Sequence, residues 1–211
     1  MRTLAVFGAT GGLGRHVVRQ ALEADHQVRA LVRDPSRLDV DSPRLQVVQG
    51  DFGDRDAVAT TLSGADAVLS CIGYAKGRPP EVYGQGMRFV LQAMQAEGTR
   101  RIVAISGAGL ELEGDASGLG RRLIITALKL FGRNVLAGKQ HEWEAIRDAD
   151  VAWTLVRVAR MVEAEPTGSV AVDLHRVSGS PVVAYPDVAR WMLEQLEEDA
   201  YVGRAPFVSG S

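Results

Sequence analysis

The chain has 211 residues, 46% of them hydrophobic and 24% charged, which is the composition of a folded domain with a full hydrophobic core. Its 24 Lys and Arg residues nearly balance its 26 Asp and Glu residues, so charge provides no general attraction to nucleic acid or to an anionic membrane. The single cysteine excludes an intramolecular disulfide, and no apolar stretch reaches the roughly 18 residues of a membrane-spanning helix. We therefore expect one soluble, cytoplasmic domain over residues 1–211.

The first half of the chain alternates short apolar runs with segments of helical periodicity. Predicted strands cover residues 4–7, 28–32, 45–48, 67–70 and 102–105, and predicted helices cover residues 12–24, 54–64 and 82–97. Asp54 is expected to cap the second helix, and Gly98 to end the third. The alternation predicts an α/β fold of the Rossmann type, which is a doubly wound parallel sheet with helices on both faces and ligands outside the carboxyl ends of the strands.

The second half is less regular, and residues 107–138 and 159–185 are expected to form a small substrate lobe. Residues 107–118 are rich in glycine and acidic residues and predict a surface loop. The apolar segment 121–133, basic at its edges, predicts a lid or a packing helix rather than a lipid contact. The remaining predicted elements are a helix at 135–148, a strand at 152–156, extended segments at 169–173 and 181–184, a helix at 187–198 capped by Asp187, and an edge strand at 204–209.

The first predicted strand runs directly into a glycine-rich turn that opens the first helix. Gly8 allows the chain to turn where a side chain would clash, Gly11 allows the backbone to approach a pyrophosphate, and Gly14 allows the helix to pack against the sheet. The helix N-terminus then supplies N–H groups and a dipole for an anion. This strand–turn–helix context indicates a dinucleotide-binding turn; the alternative is a glycine-rich turn without a ligand.

The end of the second strand indicates which dinucleotide binds. An NAD-binding fold places Asp or Glu about 20 residues past the glycines to hold the ribose 2′-hydroxyl, whereas this chain has Arg33 there and Arg37 one helical turn later. A guanidinium presents a planar fork of donors that suits a 2′-phosphate. NADP(H) is therefore the expected cofactor. Asp34 could instead contact the ribose, which leaves NAD open, and Arg33 could be a solvated charge at the end of the strand.

Residues after the third and fourth strands are expected to complete the cofactor cleft. Asp51 can accept a hydrogen bond from the adenine amino group while Phe52 lines the base pocket; the alternative for Asp51 is an N-cap, which Asp54 fills equally well. Cys71 is expected to form a wall of the cleft rather than a nucleophile, since no histidine accompanies it in the local sequence. The histidines lack metal-ligand spacing, so we expect no metal site.

The chain resembles the atypical short-chain dehydrogenases/reductases of the NAD(P)H-binding, NmrA-like branch, and most of all the biliverdin-IXβ/flavin reductases. The resemblance covers nearly the whole chain and rests on segments 7–11, 31–38, 50–51, 166–168 and 187–196 and on Ser106. It implies that Arg33 and Arg37 hold the 2′-phosphate, that Asp51 and Phe52 hold the adenine, that Ile72 and Gly73 line the ribose side, and that Ser106 faces the nicotinamide. It also implies phosphate contacts from Gly8, Thr10, Gly11, Gly12, Leu13 and Gly14.

Two departures from the family bear on catalysis. Typical dehydrogenases of the superfamily use a Tyr-x-x-x-Lys pair, but the residue four positions before Lys139 is Val135, so the usual tyrosine proton relay is not expected. Where the biliverdin/flavin reductases carry Pro-Pro-His, this chain carries Val158-Ala159-Arg160. Val158 is expected to border the cofactor and Arg160 to flank the substrate. The candidate catalytic residues are Ser106, Lys139 and Arg160.

Lys139 opens the best remaining group of titratable residues, Lys139-Gln140-His141-Glu142. Lys139 is expected to donate to the nicotinamide ribose. His141 and Glu142 are either an acid and a base or solvated residues at a helix start, where Glu142 suits the helix dipole.

The residues and the resemblance together predict an NADPH-dependent oxidoreductase that transfers a hydride to a flat conjugated acceptor such as a flavin or quinone. The family's reductases pass hydride to an extended π-system whose protonation does not require a protein acid. The alternative is a non-catalytic NADP(H)-binding redox sensor or regulatory protein, NmrA-like, which the missing tyrosine favours. A sugar epimerase or dehydratase is not expected, because those reactions need the tyrosine.

Overall fold

The computed structural model describes residues 1–75, 77–116 and 133–211 of the chain. Within them the α-helices are α1 (Gly12–Glu23), α2 (Arg55–Leu62), α3 (Glu81–Glu97), α4 (Arg133–Ile146) and α5 (Tyr185–Glu194). The strands are β1 (Thr3–Phe7), β2 (Gln27–Val32), β3 (Leu45–Gln49), β4 (Ala67–Ser70), β5 (Arg101–Gly107), β6 (Ala152–Val158), β7 (Arg160–Val162), β8 (Val170–Asp173), β9 (Val182–Ala184) and β10 (Phe207–Gly210). These bounds confirm the predicted alternation of strands and helices.

Eight strands form one sheet in the order β3-β2-β1-β4-β5-β6-β10-β8, and β7 pairs with β9 in a separate small sheet. All neighbours in the large sheet are parallel except β10 and β8, which are antiparallel. The chain order reverses between β1 and β4, and in doubly wound sheets ligands bind at this point, outside the carboxyl ends of the strands. The predicted Rossmann-type fold is confirmed.

The sheet separates two apolar cores. Helices α1 and α5 pack on one face, where Val17 and Met192 are fully buried. Helices α2, α3 and α4 pack on the other face, where Met87 and Ile146 are fully buried. Burying a side chain of this size stabilises the fold by roughly 1.5–3 kcal/mol. Packing on both faces therefore fixes the helix N-termini that lie beside the carboxyl ends of the strands.

The predicted N-cap of the last helix is wrong. Helix α5 begins at Tyr185 and has Pro186 in its first turn, where the fixed φ of proline suits a helix start. Asp187 therefore lies inside the helix. Its carboxylate accepts hydrogen bonds from the N–H and the hydroxyl of Thr167, both at 2.9 Å, and from the N–H of Gly168 at 3.0 Å. Asp187 thus anchors the turn at Thr167 and Gly168 to α5.

The prediction of a final edge strand is also wrong. Strand β10 lies between β6, to which it is parallel, and β8, to which it is antiparallel. The edge position belongs to β8. The local pattern of residues 204–209 could not show this, because the ladder between β8 and β10 joins segments that are distant in the sequence.

The loop after β5 is not wholly at the surface. Leu110 and the Asp115 carboxylate are buried. Asp115 forms an ion pair of 2.7 Å with Arg157 of β6, whose guanidinium also lies 3.8 Å from the centroid of the Phe207 ring. A buried guanidinium needs a counter-charge close by. This pair therefore holds one side of the loop against the sheet, while Glu111, Glu113 and Ala116 are exposed at the surface, as predicted.

The apolar segment 121–133, predicted to be a lid or a packing helix, lies outside the described residues except for Arg133, the first residue given for α4. Residues 117 and 118 of the predicted loop lie outside them as well. In the described ranges, no helix is long and apolar enough to cross a membrane.

Candidate functional site

The glycine turn between β1 and α1 is closely packed. Gly8 has a φ of 81°, in the left-handed region that glycine tolerates best, and a Cβ at this position would lie 2.6 Å from the Cys71 carbonyl oxygen. The Gly8 carbonyl accepts a hydrogen bond from the Gly11 N–H at 3.0 Å. A Cβ on Gly14 would overlap the same carbonyl. The turn can therefore form only with glycine at these crowded positions.

The start of α1 is suited to an anion. Gly11 is the N-cap, no side chain of the described residues caps this helix, and its first turn has no acidic residue. The first N–H groups of a helix have no acceptor within the helix, and with the helix dipole they favour a negatively charged group. The Leu13 side chain is buried in the core, so only its N–H group is available for phosphate binding.

One cleft lies over the carboxyl ends of β1, β2, β3 and β4. It brings together nine of the predicted cofactor residues: Gly8, Thr10, Gly11, Arg33, Arg37, Asp51, Phe52, Ile72 and Gly73. Residues that were not predicted as cofactor ligands complete the lining: Leu31, Val32, Gly50, Cys71, Tyr74, Ala75, Arg78 and Tyr83. Parallel strands place their carboxyl ends at one edge of the sheet, which explains why residues so far apart in the sequence meet here.

The wall after β2 carries two exposed guanidinium groups. Arg33 and Arg37 line the cleft, whereas the neighbouring Asp34 carboxylate accepts hydrogen bonds from the Ser36 hydroxyl at 2.7 Å and the Ser36 N–H at 3.1 Å. These bonds cap the short 3₁₀ turn Pro35–Arg37, and the bond from the Ser36 hydroxyl lowers the pKa of Asp34 most. Asp34 is thus engaged in its own turn while the two arginines border the cleft.

Arg78 was not among the predicted site residues. It lies in the loop between β4 and α3, and its guanidinium forms an ion pair of 2.5 Å with Asp51. Asp51 also accepts a hydrogen bond from the Gly53 N–H at 2.8 Å. Burial acts to raise the pKa of Asp51, but the bonds from Arg78 and Gly53 and the charges of Arg78 and Arg33 outweigh it, so this pKa lies below its ordinary value. Asp51 is therefore an anionic group that interacts with two arginines, Arg78 and Arg33.

Phe52 forms the floor of the cleft. The residue is buried, and its ring meets the Phe7 ring edge-on at a centroid distance of 5.7 Å. Gly86 of α3 leaves room for this ring, because a Cβ there would overlap it. The ring is thus held by the core and presents only part of its surface to a ligand.

A second group of polar residues lies deeper, between β4, β5 and α4. The Lys139 ammonium donates to the Ile72 carbonyl at 2.6 Å, to the Ile105 carbonyl at 3.1 Å and to Glu142 Oε2 at 2.6 Å. An ammonium has three N–H donors, and these acceptors engage all of them. Lys139 therefore ties the carboxyl ends of β4 and β5 to α4.

Glu142 is buried, which excludes the solvated helix start considered from the sequence. Burial raises the pKa of Glu142, against the opposing effect of Lys139. Within the described residues neither Glu142 Oε1 nor the buried Ser106 hydroxyl has a hydrogen-bond partner. Side chains alternate along a strand, and Ala104 belongs to the core under α3 and α4, so Ser106 faces the same side of the sheet as Glu142. Two buried polar atoms thus lack a partner near Lys139, which donates to the carbonyl of the cleft-lining residue Ile72; neither Ser106 nor Glu142 itself lines the cleft.

Some predicted residues do not line the cleft. Val158 is buried in the core, and its carbonyl accepts the Ala108 N–H at 2.8 Å. Arg160 is exposed at the start of β7, and its N–H donates to the Pro181 carbonyl at 3.1 Å. His141 is partly exposed and packs against Gly84. The proposed contacts of Val158 and Arg160 with cofactor and substrate stay predictions.

Tyr185 is a further residue beside the glycine turn that the sequence pattern did not indicate. A Cβ on Gly12 would lie 2.5 Å from the Tyr185 ring. The ring stacks on His16 at a centroid distance of 6.3 Å, and His16 Nε2 lies 2.9 Å from a Glu163 carboxylate oxygen. The first residue of α5 therefore covers the first residue of α1, and this contact requires glycine at position 12.

Neither a reactive thiol nor a metal cluster is found in the described part of the chain. Burial raises the pKa of the Cys71 thiol to about 12, so the thiolate required of a nucleophile does not form near neutral pH. Cys71 lines the cleft, as predicted. Among the described residues, no group of three or more His, Cys, Asp or Glu side chains could hold a metal ion.

The glycine turn and the arginines after β2 line one cleft and fit a dinucleotide. The sequence profile of the NAD(P)H-binding family matches residues 8–199. The chain belongs to this family. The match confirms the resemblance stated from the sequence and the expected class of cofactor, a nicotinamide dinucleotide.

Relatives of the chain include reductases. The (4-alkanoyl-5-oxo-2,5-dihydrofuran-3-yl)methyl phosphate reductase of Streptomyces griseus subsp. griseus is 32% identical over 215 residues, an alignment that covers 98% of this chain and 67% of that protein. The chain spans between 15% and 65% of the length of seven further relatives. The prediction of an NAD(P)H-dependent oxidoreductase is therefore confirmed at the level of the family.

Solved structures share the fold at low sequence identity. ChuY, an anaerobillin reductase from Escherichia coli O157:H7, matches with a TM-score of 0.80 at 19% identity and covers 98% of this chain and 96% of that chain. A short-chain dehydrogenase/reductase from Veillonella parvula DSM 2008 in complex with NADP matches with a TM-score of 0.80 at 16% identity, covering 100% and 94%. These likenesses establish the common Rossmann-type architecture.

Proposed function

We propose that the protein is an NADPH-dependent reductase that transfers a hydride to a flat conjugated acceptor such as a flavin or quinone. The observation that carries the proposal is the cleft itself, in which Arg33 and Arg37 lie beside the glycine turn while Asp34 is engaged with Ser36. When bound, NADPH supplies the hydride from its nicotinamide. The chain binds and orients the cofactor and excludes water from the reaction.

The part of the cleft lined by Arg33 and Arg37, which we call the adenosine end, supports the choice of NADPH. A 2′-phosphate is a dianion at neutral pH, and arginine binds such groups through paired N–H donors. An NAD site would instead offer a carboxylate to the ribose hydroxyls, and Asp34 is turned into its own 3₁₀ turn. We expect Arg33 and Arg37 to hold the 2′-phosphate and the first turn of α1 to hold the pyrophosphate.

The region around Ser106 and Lys139, which we call the nicotinamide end, favours a role in positioning the cofactor over a role in proton transfer. The Ser106 hydroxyl lacks a partner within the described residues, and we propose that it hydrogen-bonds the nicotinamide. Lys139 already has three acceptors, so it can donate to the ribose only by giving one up. We therefore propose that Lys139 is a positioning residue, which fixes the carbonyls of β4 and β5 beneath the cofactor.

The proposed class of acceptor rests on the absence of the tyrosine acid that typical dehydrogenases use. Val135 takes the place of the tyrosine acid of typical dehydrogenases, so an acceptor that accepts hydride without a protein acid is favoured. The S. griseus relative is named for a substrate with an unsaturated ring that carries oxo and alkanoyl groups, which supports a conjugated acceptor. We propose that exposed Arg160 flanks the acceptor as a cation.

The test is anaerobic turnover. The purified protein is mixed with NADPH and with FMN or a water-soluble quinone, and the decrease of NADPH absorbance is compared with the protein-free reaction. We expect saturable oxidation that is faster with NADPH than with NADH. Tight NADPH binding without turnover on any acceptor would contradict the reductase and support the alternative, an NADP(H)-binding sensor.

A further inference from the structure

An ion pair joins the loops that follow β3 and β4. Arg78 Nη2 lies 2.5 Å from Asp51 Oδ1, and both side chains are about one-third exposed or less. In the sheet β3 and β4 are separated by β2 and β1, a distance of about 14 Å at ordinary strand spacing. The two side chains therefore meet over the ends of the strands that carry Arg33 and the glycine turn, and the pair bridges the two sides of the cleft.

The charges around the cleft match a phosphate dianion only when Arg78 is counted. Within the described residues, the charged side chains of its lining are Arg33, Arg37, Arg78 and Asp51. Because the pKa of Asp51 is lowered, this carboxylate cancels one of the three positive charges at neutral pH. The two that remain match the charge of a phosphate monoester, about −1.5 to −2 at pH 7. Loss of Arg78 would leave a single net positive charge.

We propose that Arg78 contacts the nucleotide directly and, with Arg33 and Arg37, determines the preference for a 2′-phosphate. This inference rests on the NADPH dependence proposed above. A guanidinium has five N–H donors in a planar fork, and the pair with Asp51 engages Nη2. The competing explanation is that Arg78 only neutralises Asp51. The two explanations differ in what happens when Asp51 itself is neutral.

The test compares the binding of 2′,5′-ADP and 5′-AMP by isothermal titration calorimetry. The two probes differ only by the 2′-phosphate, and neither takes part in turnover. We expect Arg78→Met to weaken binding of 2′,5′-ADP at least about tenfold, the effect of losing a charge-assisted hydrogen bond, and binding of 5′-AMP less than about threefold. The same selective loss should appear when Arg78→Met is made in an Asp51→Asn background.

Arg100→Met is the matched control. Arg100 forms an exposed ion pair of 3.3 Å with Asp150 at the amino end of β5, away from the cleft. Its replacement removes the same charge and should leave both affinities unchanged. Thermal unfolding of each variant verifies that it is folded.

Equal weakening of both probes in Arg78→Met, or recovery of 2′,5′-ADP binding in the double variant, would overturn a direct contact and leave Arg78 as the partner of Asp51. A wild-type protein that prefers 2′,5′-ADP, together with an Arg78→Met variant that keeps this preference, would also contradict the inference while sparing the proposed function. A wild-type protein that binds 2′,5′-ADP no better than 5′-AMP would contradict the NADPH dependence itself.

Discussion

The two ends of the cleft differ in how their charged side chains are placed: exposed at one end and buried in an ion pair at the other. At the end proposed to bind adenosine (the adenosine end), Arg33 and Arg37 are exposed and line the open cleft. At the end proposed to bind the nicotinamide (the nicotinamide end), Lys139 is mostly buried, Glu142 is buried, and the two form an ion pair of 2.6 Å. An exposed charge costs the folded state little free energy when no ligand is bound, and it is available to a ligand. A buried charge must be paired for the fold to be stable. We therefore propose that the exposed arginines determine cofactor specificity at the adenosine end and that the buried pair provides rigidity at the nicotinamide end.

The largest expected difference between the ends is in stability. Lys139→Met would leave the Glu142 carboxylate buried without its cation, and breaking such a pair typically costs about 3–5 kcal/mol. Arg33→Met removes an exposed cation and should change the free energy of unfolding by less than about 0.5 kcal/mol. Urea denaturation near neutral pH measures both. Similar losses in the two variants would mean that the ends do not differ in this way.

The glycine turn lies between the two ends and should show an intermediate effect. Gly14→Ala would place a Cβ against the Gly8 carbonyl, and such overpacking typically costs about 1–3 kcal/mol. Gly73→Ala is the control in the same cleft, because a Cβ there meets nothing within 4 Å among the described residues. Urea denaturation should show a loss for Gly14→Ala alone. An undiminished midpoint for that variant would contradict the packing described for the turn.

The smallest expected difference is in the pH dependence of stability, where the two ends have opposite signs. The pKa of Asp51 lies below its ordinary value of 3.8, so its contribution is present above that value and is lost as the pH falls through the lowered pKa. The pKa of Glu142 lies above its ordinary value of 4.5. The folded state therefore holds this proton more tightly than the unfolded state, and stability decreases as the pH rises from 4.5 through the raised pKa.

Two neutral variants separate these contributions. Asp51→Asn should reduce the loss of stability on the acid side, by less than about 1 kcal/mol because the pair with Arg78 is partly solvated. Glu142→Gln should reduce the loss that accompanies rising pH. The free energy of unfolding measured by denaturant at a series of pH values tests both. The two variants should therefore change the slope of stability against pH in opposite directions. A slope that changes in the same direction in both variants would contradict the assignment.

Much of the adenosine end could be predicted from the sequence, because local rules position its residues. The glycine turn follows a buried strand, and Arg33 and Asp51 each follow a parallel strand, so the fold alone brings them to one edge of the sheet. Arg78 could not be predicted in the same way. It lies in a loop without periodicity, and its pairing with Asp51 depends on how two distant loops approach each other.

The errors elsewhere have a similar origin. Aspartate is a residue type that commonly caps helices, but α5 begins at Tyr185 with Pro186 in its first turn. The Asp187 carboxylate instead accepts a hydrogen bond from the Thr167 N–H. The burial of Asp115 depends on Arg157 of β6, which no local pattern of the loop could indicate. At the nicotinamide end, the spacing from Val135 predicted Lys139 as a site residue. Its three hydrogen bonds, to two carbonyls and to Glu142, depend on tertiary packing and could not be predicted.

The most direct test of the account is the affinity of the protein for the two dinucleotides, measured by titration calorimetry on the wild type and on Arg33→Asp. The arginines of the adenosine end should make the wild type bind NADPH at least about tenfold more tightly than NADH, the value of a charge-assisted contact. Arg33→Asp should abolish or reverse this preference, because it places a carboxylate where the 2′-phosphate would lie. Equal affinities in the wild type, or an unchanged preference in Arg33→Asp, would contradict the account.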